Sequence, residues 1–166
     1  MKADIYFAKL SPNAIIPTKR DEDMGFDLYA CVDERNPYGW QIDPNTTMMI
    51  PTGLVYACSK EWGLVLRERG STGIVSMKIG AGVGDSGYRN ELFVFLYNGL
   101  NKSIVISPTE ITVREAEKAL FYPSSKAIAQ FLVLPVPETT ITELSLEEVR
   151  SITSERGLGL LGSSKK

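Results

Sequence analysis

The chain has 166 residues, 43% of them hydrophobic and 23% charged, with a net charge of −2. This is the size and composition of an ordinary globular domain, without the basic surplus of a general nucleic-acid binder or an apolar run near the roughly 20 residues of a membrane span. Histidine is absent and there are two cysteines, which excludes Ser-His-Asp and Cys-His catalysis, histidine-ligated zinc and Cys-only structural zinc; an enzyme of this kind works with carboxylates, Arg, Lys, Tyr, Ser or a hard cation such as Mg²⁺.

In chain order, the opening "MKADIYFAKL" places Asp4 and Lys9 inside its apolar part, so it reads as a strand rather than a signal peptide. Cys31 and Cys58 read as small buried thiols of a reducing, cytoplasmic compartment. "TTMMIPTGLVYAC" reads as strand broken by a turn at Pro51-Thr52-Gly53, and "WGLVLRERG" opens as a strand and ends charged. "ELFVFLYN", "SIVIS" and "AIAQFLVLPV" are rich in branched and aromatic residues at strand lengths. Turn residues punctuate them at Pro12-Asn13, Asn36-Pro37, Asp43-Pro44-Asn45 and Gly99. Two helices are expected, one at about Val113 to Leu120 and one in "LSLEEVRSI", where Ser145 stands three residues before Glu148 as in a capping box. The pattern is that of an all-β sandwich or barrel: one domain over residues 1–153, then a glycine-rich arm, 154–166, "SERGLGLLGSSKK".

The stretch with most chemical content is "GAGVGDSGYRNELFVF", residues 80–95, which sets Asp85 among four glycines with Tyr88 three residues on. Asp-Ser-Gly suits a hairpin turn; it also suits a carboxylate held on a thin turn that a ligand can approach. Four other stretches place a lone polar group among small residues beside an apolar run: Asp27 in "MGFDLYA", Arg67 and Arg69 in "LRERGSTG", Gln130 in "KAIAQFLVLP", and Arg156 in the arm. Each alone has a structural account. Asp27 can pair with a surface arginine, Arg67 and Glu68 can be a solvated strand end, Gln130 can satisfy backbone inside a sheet, and the arm can be a frayed terminus.

Taken in order, the five stretches resemble the five motifs of the homotrimeric dUTP pyrophosphatases (dUTPases). "MGFDLYA" is similar to motif one, usually Ala-Gly-x-Asp-Leu-x-Ala, and "RERGSTG" to the Arg-Ser element of motif two. "GVGDSGYRNELFV" is similar to motif three, usually Gly-Val-Ile-Asp-x-x-Tyr-Arg-Gly-Glu, "KAIAQFLVLP" to the Arg-Ile-Ala-Gln of motif four, and "ERGLGLLGSS" to the Arg-Gly-x-x-Gly-Phe-Gly-Ser of motif five. The resemblance implies a β jelly roll that forms a homotrimer with shared active sites, hydrolysing dUTP to dUMP and pyrophosphate with Mg²⁺. It implies Asp85 as the general base for the water that attacks the α-phosphorus. The uracil would meet main-chain groups from Ile79 to Val83, including Gly82, and Tyr88 would pack under the deoxyribose and exclude a 2′-hydroxyl. Arg69, Gly70 and Ser71 would hold phosphates, and Asp27 and Gln130 would order water on Mg²⁺. Arg156 would reach the γ-phosphate from a neighbouring chain, while Leu161, Gly162 and Ser163 would cover the nucleotide.

Several positions depart from the family pattern. Gly70 stands where Ser is common, Gly84 where Ile is usual, Asn90 where Gly is usual, Lys126-Ala127 where an Arg adjoins Ile-Ala-Gln, and Leu161 where a Phe stacks on uracil. Gly84, next to the base, is expected to loosen its placement. Residues 107–125 read as an insertion, either a surface elaboration or an element that binds a protein regulator. Two alternatives stay open: a dUTPase-like regulator that binds a repressor or other protein, and a dCTP deaminase, which would need a glutamate base near the pyrimidine amine. Neither nucleic acid nor membrane is expected as a partner.

Overall fold

A computed structural model describes residues 2–108 and 117–159. They divide into two compact units, residues 1–136 and 137–166. The first is a β jelly roll of three sheets. One is ordered β1 (Ile5–Lys9), β4 (Thr47–Cys58), β8 (Glu91–Asn98), β6 (Met77–Gly80); a second is β10 (Ala119–Pro123), β9 (Ser103–Ser107), β3 (Trp40–Ile42); a third is β2 (Phe26–Leu28), β11 (Ala129–Pro135), β5 (Trp62–Arg67), β7 (Val83–Gly84). All pairings are antiparallel except β9 with β10.

The strands follow the alternation in the sequence. In β8 every second side chain is buried, Leu92, Val94 and Leu96 among them, because successive side chains of a strand face opposite sides of its sheet. These residues meet Ile42, Ile50, Tyr56, Leu64, Met77, Ile104, Ile106 and Phe131 in one core shared by all three sheets. Cys31 and Cys58 are buried free thiols, raised above the usual range by burial.

Three expectations need correction. The Pro51-Thr52-Gly53 segment does not break its strand. β4 runs through it with a bulge between Pro51 and Val55, since Thr52 Oγ1 donates to the Leu92 carbonyl at 2.6 Å and the Gly53 N–H donates to Glu91 Oε1 at 2.8 Å. Gly53 takes φ +68°, and a side chain there would lie 2.8 Å from Cys31 Sγ. The helix expected at Val113 to Leu120 also fails at its end: Ala119 and Leu120 begin β10, in register with Ser103 and Ile104; Val113 to Ala116 lie outside the described residues. The second half of the 107–125 segment is therefore built into a sheet rather than laid over the surface, with Tyr122 buried and its hydroxyl donating to Ala127 O at 2.8 Å.

Two short helices occur among the described elements. α1 (Gly70–Gly73) is a single turn. α2 (Leu146–Ser151) lies in the second unit and has the expected capping box: the Glu148 N–H donates to Ser145 Oγ and the Ser145 N–H to Glu148 Oε2. No helix among the described residues is long and apolar enough to cross a membrane.

Candidate active site

Strand register brings three of the expected groups together. Asp27 on β2 stands opposite Gln130 on β11, and Gln130 stands opposite Arg67 on β5. The chain leaves β5 at Arg67 and turns through Glu68 and Arg69 into α1, so Arg69, Gly70 and Ser71 come round to the same place. The result is a cleft of about 600 Å³ lined by Asp27, Arg67, Arg69, Gly70, Ser71 and Gln130, among others.

Its polar groups are cross-linked. Arg69 Nε meets Asp27 Oδ1 at 2.8 Å and Arg69 Nη2 donates to Asp27 Oδ2 at 3.3 Å, a two-pronged pair of the kind that holds a guanidinium in one plane. Arg69 Nη1 also donates to Ser71 Oγ at 3.3 Å. Gln130 Nε2 donates to the Glu68 carbonyl at 2.8 Å, so Gln130 does satisfy backbone, while its Oε1 lies against Gly25, where a Cβ would come within 2.3 Å of it. A Cβ at Gly70 meets nothing within 4 Å, so protein packing does not require glycine there.

The second group lies at the corner where two sheets meet. β6 ends at Gly80 in one sheet and β7 begins at Val83 in another. Ala81 makes the crossing at φ +44°, and Gly82 lets the backbones close: its carbonyl accepts from the Leu66 N–H at 2.6 Å, and a Cβ would lie 2.6 Å from Leu66 O. The Ile79 N–H donates to Glu68 Oε1 at 3.1 Å; bonding from Glu68's own backbone N–H, and then from Ile79, holds the Glu68 carboxyl below its usual range. After β7 comes the Asp85–Tyr88 turn, closed by the Tyr88 N–H to Asp85 O at 3.1 Å. It joins β7 to β8, which lie in different sheets, so it is a sheet-to-sheet turn rather than the hairpin turn that Asp-Ser-Gly suggests, and Asp85 is exposed. Tyr88 Oη donates to Glu91 O at 2.8 Å. Asp85 and Tyr88 line a cleft of about 350 Å³ with Tyr56, Val83, Gly84 and Phe95 among its other walls. Val83 is 78% exposed, a large apolar surface beside this cleft.

A dUTPase family model matches residues 11–111. The chain belongs to the dUTPase family. The family's enzyme class is dUTP diphosphatase. A deoxyuridine 5'-triphosphate nucleotidohydrolase of Neisseria meningitidis serogroup B is 30% identical over 155 residues, covering 90% of this chain and 89% of its own length. Among solved structures, the dUTPase of Staphylococcus bacteriophage 80alpha with dUPNHPP superposes with a TM-score of 0.74 at 19% identity, covering 98% of this chain and 99% of its own. A dUTPase from phage phi11 of S. aureus, in which a structural Mg(II) ion is coordinated, gives 0.66 at 17% identity over 85% of this chain and 96% of its own.

Against the dUTPase motifs, motifs one, two and four share the first cleft and motif three builds the second; the two have no lining residue in common. Arg156 lies in the second unit, exposed, with its N–H on Ser154 Oγ and its Nε on Gly159 O. Leu161, Gly162 and Ser163 lie outside the described residues. Sequence reasoning passed over Gly25 and Tyr56, and read Glu68 only as part of a solvated strand end, whereas its carboxylate accepts from the Ile79 N–H. Gly25 and Glu68 sit inside motifs already singled out, but their roles depend on Gln130 and Ile79, distant in the chain. Tyr56 has the sequence signature of any core aromatic in a strand.

Proposed function

We propose that the protein hydrolyses dUTP to dUMP and pyrophosphate in a Mg²⁺-dependent reaction, in active sites shared between protomers of a homotrimer. What carries the reading is the sorting of dUTPase motifs into two complementary clefts: one charged and sized for phosphates, the other apolar-walled with a single exposed carboxylate. A nucleotide has the same two halves. Because the clefts are separate in one chain, a neighbour's motif-three corner would complete each phosphate cleft, and Arg156 with Leu161, Gly162 and Ser163 of another would close it.

In this reading Asp85 accepts a proton from water as the water oxygen bonds to the α-phosphorus. The bond from that phosphorus to the bridging oxygen breaks and pyrophosphate leaves. The uracil lies along the main chain from Ile79 to Val83, where the Ile79 N–H is held by Glu68 and the Gly82 carbonyl by Leu66, and main-chain groups of this segment read the base edge. Tyr88 lies under the sugar and rejects a 2′-hydroxyl by contact. Arg69 and Ser71 hold the phosphates, with Gly70 giving close backbone approach. The donor set suits a cation brought in on the nucleotide: Asp27 is paired with Arg69, and among the described residues no group of three or more Asp, Glu or Cys is placed to hold a metal ion by itself. Mg²⁺ commonly keeps several waters and binds through phosphates, so Asp27 and Gln130 would hold it through water. When bound, it offsets negative charge on the phosphate oxygens.

The deaminase alternative has less support: among the described residues no glutamate lines the Asp85 cleft, and the Glu68 carboxylate near this corner is taken up by the Ile79 N–H. The deciding experiment is Mg²⁺-dependent pyrophosphate release from dUTP beside dCTP, dTTP and UTP. We expect release from dUTP alone, with D85N slower by about 10³-fold, within the range for removing a general base, and a sedimentation mass of three chains. Equal activity of D85N, or ammonia release from dCTP, would overturn the reading.

A further inference from the structure

We propose that Tyr56 is the positioning residue for the Asp85 turn, and that Gly84 is glycine because the Tyr56 hydroxyl occupies the space a side chain would need. This rests on the reading of Asp85 as the base. Tyr56 is 1% exposed, on β4 between β1 and β8, with Phe7 opposite it in register. Its hydroxyl donates to the Asp85 main-chain carbonyl at 2.6 Å. Its ring packs on Tyr88 at 6.3 Å between centroids and on Phe7 at 6.4 Å. One side chain from the middle of a sheet thus touches both ends of the turn that carries the carboxylate and the sugar-facing ring.

Gly84 precedes Asp85 and is buried, paired with Leu64. A Cβ on Gly84 would lie 2.9 Å from Tyr56 Oη and 3.1 Å from Leu64 Cβ. Tyr56 is buried in β4 and its hydroxyl stands where the Cβ would reach, so the hydroxyl bond and a side chain at 84 compete for one space. Glycine before a catalytic carboxylate suggests looseness. Here the freedom is removed from outside, because the Asp85 carbonyl is held twice, by Tyr88 N–H and Tyr56 Oη. A main-chain anchor leaves both carboxylate oxygens available while limiting where the carboxylate can go, which is what a base needs for one water.

The test is steady-state kinetics on dUTP with Mg²⁺ for the full chain, Y56F and D85N, with thermal unfolding of each. Y56F keeps the ring on Tyr88, and Asp85 O keeps its bond from Tyr88 N–H, so the fold is retained. We expect kcat to fall about tenfold, the size of one lost hydrogen bond, with KM within about twofold because the sugar contact is untouched. A Y56F kcat equal to that of the parent while D85N is inactive would overturn the positioning role alone, as would a rise in KM with kcat unchanged. An active D85N would remove the base assignment and the positioning role with it. The shared space is tested by G84A: it should lower both kcat and the unfolding temperature in the parent, and cost less in the Y56F background, since coupled neighbours are non-additive. Equal costs in both backgrounds would overturn that half of the proposal.

Discussion

The two clefts are stiffened in different ways. Around Asp27 the side chains hold one another: Arg69 grips Asp27 and touches Ser71, and Gln130 reaches across to Glu68. Around Asp85 the main chain is held, and among the described residues no side chain bonds to the carboxylate. Tyr56 and Tyr88 bond to the carbonyl of Asp85, and Tyr88 Oη bonds to the carbonyl of Glu91. The contrast follows from what each cleft is proposed to do. A triphosphate can displace or share side-chain partners, because it brings more acceptors than it removes. A base that must take a proton from water gains nothing from a side-chain partner that stabilises its charged form, so its rigidity has to come through the backbone.

The comparison can be broken most directly at Arg69. Arg69→Ala removes the proposed phosphate donors and leaves Asp27 without its cation, so kcat/KM for dUTP should fall about 10²-fold, the scale of one lost charged donor at a transition state. Arg69→Lys should recover little, since an ammonium cannot make the two-pronged contact. Recovery by lysine in the same dUTP assay would mean that charge alone matters in this cleft.

Gly25→Ala sharpens the side-chain half. The new Cβ collides with Gln130 Oε1 at 2.3 Å, so Gln130 must give up Glu68 or the strands must part. We expect a loss of about 1–3 kcal/mol, typical of overpacking, read by urea unfolding, together with weaker dUTP binding. Full stability with weaker binding would show that Gln130 moves freely and that the cleft is less cross-linked than its hydrogen bonds imply.

The smallest effect lies behind the Asp85 corner. Arg35 bridges Asp33 and Glu91, and Glu91 Oε1 in turn holds the Gly53 bulge. The Arg35 guanidinium brings the Asp33 carboxyl down to about 2, below its usual value near 3.9. A lowered carboxyl stabilises the fold above its unfolded pKa, and the gain is lost as pH falls through the folded one. The stability of Asp33→Asn should therefore trail the parent by about 2 kcal/mol at neutral pH, the scale of lost charged hydrogen bonds, and the gap should shrink progressively between about pH 5 and pH 1. Unfolding curves at pH 7 and pH 2.5 measure this: the gap should fall to less than half, and an undiminished gap at pH 2.5 would place the stabilisation in packing rather than charge.

Much was legible in the sequence because it is local. Alternation in "ELFVFLYN" and "SIVIS" gave strands β8 and β9, Ser145 and Glu148 gave the cap of α2, and the resemblance of five short stretches to known motifs pointed to the family. Local patterns survive folding because a strand's two faces and a helix's first turn are set by neighbours a few residues away. Tertiary structure alone decided whether Pro51-Thr52-Gly53 turns the chain or bulges it, because Thr52 and Gly53 bond to β8, about 40 residues on. It decided that Ala119 and Leu120 extend a sheet, since β9 offers an edge that local helix preference cannot see. It also decided the meaning of Gly84. In the sequence it is a missing side chain beside a base; in the fold it is room for Tyr56, 28 residues earlier, and that pairing exists only once two sheets are packed together.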